Sequence, residues 1–406
     1  MKPVELVKDV YWVGATDWAV RDFHGYETPH GTTYNNYLIM DDEITLVDTV
    51  KYDFSHITLS NISRLVDPVK ISHVVINHIE NDHATSIDKI MELAPKAVIH
   101  MTERGRKGLG RFYDLSKWDI RTVKKGDTLK IGKRTLQFLE TPMLHWPDSM
   151  MTYCPEDKIL FSQDAFGQHM ASSGRFDDEF CETHCIEDLD NAVIDYYANI
   201  LMPFGSLIRD KIAEIRKLNL DIKIIAPDHG VIWRSHIPRV LDSYLGMASG
   251  KADLTVSIVY DTMWKSTERM TVPIAQGLRD EGIDYKILKL RATPMNVVIT
   301  EFWKSRGTLI GTPTLNNIMF PSVAEFMTYL RGLRPKDRLV GAFGSYGWGG
   351  GAVKDVLAKA GEIGLETFEA GKQVLYKPSP EDESACYEFG RDFARKLKEY
   401  HSGFTS

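Results

Sequence analysis

The segment Ile71-Ser72-His73-Val74-Val75-Ile76-Asn77-His78-Ile79-Glu80-Asn81-Asp82-His83 frames the reading of the whole chain. Its first half is an apolar, β-prone run. Its second half packs four metal-capable side chains into six residues. A loop leaving a buried strand turns alternate residues toward one point and their neighbours toward another. His78 and Glu80 are therefore expected to serve one ion, and Asp82 and His83 a second. Ser86 is the expected N-cap of a helix carrying Ile87, Ile90, Met91 and Ala94 on one side.

Three more candidate ligands follow apolar runs further along. His145 comes after Phe138-Leu139-Glu140-Thr141-Pro142, Asp164 after Ile159-Leu160-Phe161-Ser162, and His229 after Ile224-Ile225-Ala226-Pro227-Asp228. Metal ligands favour strand ends, because the strand fixes the root of the loop while the loop stays accessible. The cysteines are a weaker lead. Cys154, Cys181, Cys185 and Cys386 form no C-x-x-C pair, so neither a rubredoxin-type iron site nor a thioredoxin-type pair is encoded. Cys181 and Cys185 flank His184 at a spacing that matches no strong site, and free thiols are expected.

The 406 residues allow two or three domains, and the net charge of −7 argues against a nucleic-acid binder. No signal sequence and no long apolar run is apparent, so a soluble, cytoplasmic protein without membrane contact is expected. A break falls at Gly250-Lys251-Ala252-Asp253, giving expected domains of residues 1–250 and 251–406. Beyond the break β and α segments alternate, with strand candidates 254–260, 285–290, 308–311, 339–343 and 374–376. This pattern predicts an open parallel sheet covered on both faces.

The set His78-x-Glu80-x-Asp82-His83, then His145, Asp164 and His229, resembles the metallo-β-lactamase fold in its flavodiiron version. Asp48 in Leu46-Val47-Asp48-Thr49 resembles an early aspartate of that superfamily. The resemblance implies an αββα sandwich in which His78, Glu80 and His145 hold one iron, Asp82, His83 and His229 the other, and Asp164 bridges. Zinc hydrolases of the superfamily carry histidine where this chain has Glu80. The donor set here is richer in oxygen and suits iron as well as zinc.

Three loops of the second half form a matching constellation. Thr262-Met263-Trp264-Lys265-Ser266-Thr267 joins a strand to a helix N-terminus, which favours an anion. Thr312-Pro313-Thr314-Leu315-Asn316-Asn317 and Ser345-Tyr346-Gly347-Trp348-Gly349-Gly350 follow later strands. Their glycines let a planar ligand approach the backbone, and Tyr346 or Trp348 can pack on its ring. The arrangement resembles flavodoxin and implies FMN, although Met263, Trp264 and Lys265 are bulkier than usual in a flavodoxin phosphate loop.

Both halves together resemble the flavodiiron proteins, or A-type flavoproteins, most nearly their F420H2 oxidases from methanogens. This resemblance implies reduction of dioxygen to water at two irons through FMN. It also implies a head-to-tail dimer or dimer of dimers, and an oxygen pocket lined by His24 and Tyr197. No C-x-x-C module is present, so electrons are expected from an external donor: reduced coenzyme F420, with rubredoxin as the rival. Nitric oxide is the rival acceptor. A dinuclear zinc hydrolase with a flavodoxin-like module, or a plain electron carrier, are the alternatives of another class.

Overall fold

Alternation along the early strands faces apolar side chains in two directions. Val47 and Val75 enter one core, while their neighbours Leu46 and Val74 enter another. β1 (Val4–Val7), β2 (Val10–Trp12), β3 (Tyr37–Ile39), β4 (Ile44–Val47), β5 (Ile71–Val75), β6 (Val98–Met101) and β7 (Asp119–Thr122) form one sheet in chain order. It is antiparallel up to β4 and parallel from β4 to β7. β8 (Thr128–Lys130), β9 (Thr135–Glu140), β10 (Met150–Cys154), β11 (Ile159–Gln163) and β12 (Ile224–Pro227) form a second. Between the sheets lies a core of Trp12, Tyr37, Val47, Val75, Phe138, Met150, Phe161 and Ala226. On the outer face of the first sheet, Leu46, Val74 and Ile99 pack with helical Ile62, Ile87, Ile90 and Met91. Beside the second sheet, helices Gly205–Lys217 and Ile237–Ala248 bury Ile208, Ile212, Val240 and Tyr244, and Lys211 Nζ donates to the Glu140 carbonyl at the end of β9. This is the expected αββα sandwich.

The computed structural model describes residues 2–23 and 25–404. The chain divides into two units: residues up to Tyr196 with Phe204–Ala248, and Tyr197–Pro203 with the chain from Ser249 onward. The sequence reading placed the boundary at 250/251 and did not anticipate the Tyr197–Pro203 segment. Pro203 and Gly205 interrupt a long helical pattern there. Helix Ile186–Tyr196 widens into a π-turn at Tyr197–Leu201 and passes through a 3-10 turn at Met202–Phe204. Within the second unit, Tyr329 donates its hydroxyl to Asn199 Oδ1 at 3.2 Å.

In the second unit β13 (Asp253–Tyr260), β14 (Asp284–Lys289), β15 (Ser305–Gly311) and β16 (Leu339–Tyr346) lie in the order β14-β13-β15-β16. β17 (Glu366–Thr367) and β18 (Lys372–Leu375) both pair with β16, and all pairings are parallel. This is the doubly wound, flavodoxin-like order. One face is covered by helices Ser266–Asp280 and Pro380–Ser402 through Met270, Ile274, Phe389 and Phe393. These helices cross closely: a Cβ on Gly390 would lie 2.2 Å from the Ile274 carbonyl oxygen. No helix among the described residues is long and apolar enough to cross a membrane.

Candidate functional site

β4, β5, β9, β11 and β12 all run toward the same rim of the sandwich, and the residues just beyond their ends meet there. Asp48 follows β4 in a left-handed conformation, φ 58°. Its carboxylate accepts from the Asn77 N–H and the Asn77 side-chain amide, both at 2.7 Å. This fixes the loop immediately before His78. Burial raises the Asp48 carboxyl to about 6 against the pull of those hydrogen bonds.

Two groups of ligand-type atoms result, each within 4.8 Å: His78, Glu80, His145 and Asp164, and Asp82, His83 and His229. Asp164 faces both. Its Oδ2 lies 3.1 Å from His145 Nε2 and 3.4 Å from His78 Nε2, while its Oδ1 lies 2.8 Å from His83 Nε2 and 3.6 Å from His229 Nε2. Gln163 holds it in place: the Asp164 N–H donates to the Gln163 amide oxygen, and the Gln163 amide N–H donates to the Leu144 carbonyl.

The far nitrogens of the imidazoles have partners too. His78 Nδ1 lies 3.4 Å from Asp148, which also accepts the Ile79 N–H at 2.8 Å. His83 Nδ1 lies 3.4 Å from Asp228, and His229 Nδ1 lies 2.6 Å from the Thr33 carbonyl. Nε2 of each ring is thereby turned to the common centre. Burial lowers the imidazole values, but the surrounding carboxylates outweigh it, pushing His78 up to about 10 and His145 to about 9. Asp228 goes the other way: burial and the nearby Asp48 hold its carboxyl well above the usual range.

The atoms themselves test for a metal. Both Asp82 carboxylate oxygens, Asp164 Oδ1, His83 Nε2 and His229 Nε2 are buried and lie close to one another, yet none makes a well-aligned hydrogen bond. Buried polar atoms are seldom left so, and here they face one another across the centre. Four imidazoles and three carboxylates in two groups fit a pair of divalent cations of the iron or zinc type. A mouth of about 320 Å³ bounded by Phe23, Lys51, Tyr52, Asp53, Glu80 and Asp82 leads to it.

Of the two residues expected in the oxygen pocket, His24 lies outside the described residues. Tyr197 packs on Trp303 of the second unit, ring centroids 5.7 Å apart. Its neighbour Tyr196 stands in the first unit, 5.0 Å from the His169 ring and 6.4 Å from His229. Successive helical residues point about 100° apart, so adjacent tyrosines face different surroundings. Burial first, and the Asp164 charge second, hold the Tyr196 phenol well above its usual value. His169 was missed by the sequence reading: it stands 4.7 Å from His229 with Thr32 Oγ1 at 2.9 Å from its Nδ1. Cys181 and Cys185 form no disulfide, and His184 is stacked on Phe180.

In the second unit a cavity of about 710 Å³ opens at the carboxyl ends of the strands. Of the residues expected to hold FMN, Thr262, Met263, Trp264, Lys265, Ser266, Pro313, Thr314, Asn316, Asn317, Ser345, Tyr346, Gly347, Trp348 and Gly349 line it. Thr267, Thr312, Leu315 and Gly350 do not. Thr267 bonds Ser345, Thr312 Oγ1 accepts from the Phe320 N–H, Leu315 bridges to Ile318, and Gly350 abuts Gln373. Arg269, Tyr376 and Lys377 join the lining unforeseen. The last two follow β18, and the rule that ligands sit beyond carboxyl ends of strands points to them. Trp264 and Trp348 are 85% and 94% exposed, a large apolar surface for a polar rim. Thr262 Oγ1 is buried with no partner, and Lys265 takes the left-handed conformation, φ 67°, directly before the helix at Ser266. A hydroxyl without a partner beside a helix N-terminus, under two open indoles, fits a flavin phosphate and ring.

Among known proteins, residues 32–230 match the model described as ODP family beta lactamase, and residues 258–390 match the flavodoxin model. A nitric oxide reductase of Moorella thermoacetica is 45% identical over 400 residues, covering 98% of this chain and 99% of its own length. The solved rubredoxin oxygen:oxidoreductase of Desulfovibrio gigas aligns with a TM-score of 0.94 at 36% identity, over 98% of this chain and 99% of that one. The flavodiiron protein of Giardia intestinalis gives a TM-score of 0.94 at 36% identity, over 98% of each. Identity of this degree spans both units in the same order, and with it the chain belongs to the flavodiiron proteins, oxidoreductases whose cofactors are FMN and a pair of irons.

Proposed function

We propose that the protein reduces dioxygen to water with electrons from reduced coenzyme F420. The observation that supports a two-metal, flavin-linked oxidoreductase is Asp164, whose two oxygens face two separate ligand groups in a chain that also holds a flavin-sized cavity. His78, Glu80 and His145 would hold one iron, Asp82, His83 and His229 the other, and Asp164 would bridge them. The residues lining the cavity would hold FMN. When bound, these groups supply oxidant binding and conversion of electron pairs to single electrons.

The protein's own side chains do the rest. Asp148, Asp228 and the Thr33 carbonyl orient the imidazoles. Phe23, Tyr34 and Tyr196 ring His229 within 6.4 Å and exclude water from that side. Tyr196 keeps a buried hydroxyl without a hydrogen-bond partner, and it is the proton donor this geometry favours. Lys265, Arg269 and Lys377 line the flavin cavity with no carboxylate among them, which suits an anionic donor such as F420.

Nitric oxide is the second acceptor to weigh, because the 45% identical relative is a nitric oxide reductase. Rubredoxin is the second donor, from the Desulfovibrio gigas protein. Family membership speaks against the dinuclear zinc hydrolase. Anaerobic mixing with reduced F420 and, separately, with reduced rubredoxin tests the donor. Flavin bleaching fast enough to sustain turnover is expected with F420, and bleaching by rubredoxin alone would replace it. The active form is a homodimer, arranged head to tail so that one chain's flavin meets the other's irons, or a dimer of dimers. A fully active monomer in sedimentation would refute this.

A further inference from the structure

The loop that opens the flavin cavity is gripped from behind by a charge pair that does not itself line the cavity. Asp261, directly after β13, is fully buried. Arg291 Nε donates to its Oδ2 at 2.7 Å and Nη2 to its Oδ1 at 2.9 Å, and the same Nη2 donates to the Thr262 carbonyl. The Thr262 N–H donates to Asp261 Oδ1 at 2.7 Å, and the Ser322 hydroxyl to Oδ2 at 2.5 Å. Arg291 packs over Phe320, 5.2 Å from its centroid. Both polar ends of residue 262 are thus fixed, one by the carboxylate and one by the guanidinium. The Thr262 hydroxyl remains in the cavity wall, buried and without a partner.

We propose that Arg291, acting through Asp261, is a positioning residue that makes this cavity select a phosphorylated flavin over its dephosphorylated form. This rests on the flavin reading of the cavity. A flavin phosphate carries roughly −1.5 to −2 charge near neutral pH, and Asp261 places a carboxylate one residue from the loop that would meet it. Arg291 cancels that charge and holds Thr262 in register. Without Arg291, a buried anion faces an incoming anion. Riboflavin, which lacks the phosphate, does not meet this repulsion. A purely structural role for Arg291 would weaken both flavins alike.

The test is equilibrium binding of FMN and of riboflavin to deflavinated full-length protein. Arg291→Met is expected to weaken FMN about tenfold and riboflavin less than about twofold, so riboflavin also reports that the cavity is still folded. Arg291→Lys should fall between, since it keeps charge but loses the two-pronged contact. Adding Asp261→Asn to Arg291→Met should recover at least about threefold of the FMN loss by removing the repelling charge. Equal losses for both flavins, or no recovery in the double variant, overturn the inference while leaving the cavity a flavin site. Wild-type protein that binds neither flavin overturns the flavin reading, and this inference with it.

Discussion

The ligand cluster and the flavin cavity sit at opposite extremes of what a protein site requires. The cluster gathers seven side chains of two chemical types, nearly closed from water, with His78, His83, His229 and Asp164 each held by a further polar group behind it. The cavity is an open space of about 710 Å³ walled by loops, lined by hydroxyls, glycines, three basic side chains and two exposed indoles. In the cluster the identity of each residue is the chemistry. In the cavity much of the work falls to main chain and shape, which several residue types can supply. Substitution should therefore act abruptly in the first and by degrees in the second.

The largest effect is expected at Asp164. Asp164→Ala removes the group shared by both ligand sets, so metal content should collapse and turnover fall more than about 100-fold, while bound flavin is unchanged. Elemental analysis beside the visible spectrum reads both. Loss of flavin together with metal would mean that the two sites are not independent.

Next comes acid. His78 and His145 hold their protons up to about 10 and 9 without metal, and each must release one to bind. Metal affinity of the metal-free protein should rise about tenfold per pH unit between pH 6 and 8 for each proton displaced, read by competition with a chelator. The stability of metal-free protein follows the opposite sign. A raised imidazole value contributes fully below the unfolded value and is lost as pH rises through the folded one, so its melting temperature should fall from pH 7 to 10. The flavin cavity, whose wall carries no such cluster, should show no matching dependence of FMN binding.

A smaller effect separates two adjacent tyrosines. Tyr196→Phe should slow turnover roughly tenfold or more as a lost proton donor, with metal content intact. Tyr197→Phe, against Trp303, should leave turnover unchanged. The reverse result would put the proton donor on Tyr197. Smallest of all, Trp348→Ala should weaken FMN about three- to tenfold, the size of one lost aromatic contact, with little change in metal content.

How far each region could be read in advance follows from the same contrast. The histidines and carboxylates of the cluster announce themselves by type, and strand ends bring them together because β4, β5, β9, β11 and β12 point one way. His169 escaped notice because a lone histidine in a loop carries no signal until the fold puts it beside His229. The resemblance pointed to Tyr197 and not to Tyr196, and the π-turn that begins at Tyr197 shifts the helical phase at that step. The three flavin loops were found from β/α alternation. Some wall residues were not legible: Thr312 carries a hydroxyl suited to a contact but closes the loop on Phe320, and Tyr376 and Lys377 reach in from beyond β18, which carries no glycine-rich or hydroxyl-rich loop to mark it.

The most direct test is metal and flavin analysis of protein purified without added metal or chelator. About two iron ions and about one FMN per chain are expected, with visible absorption bleached by an electron donor and restored by oxidant. A colourless protein carrying zinc alone would contradict the proposal that this chain is an iron-and-flavin oxidoreductase.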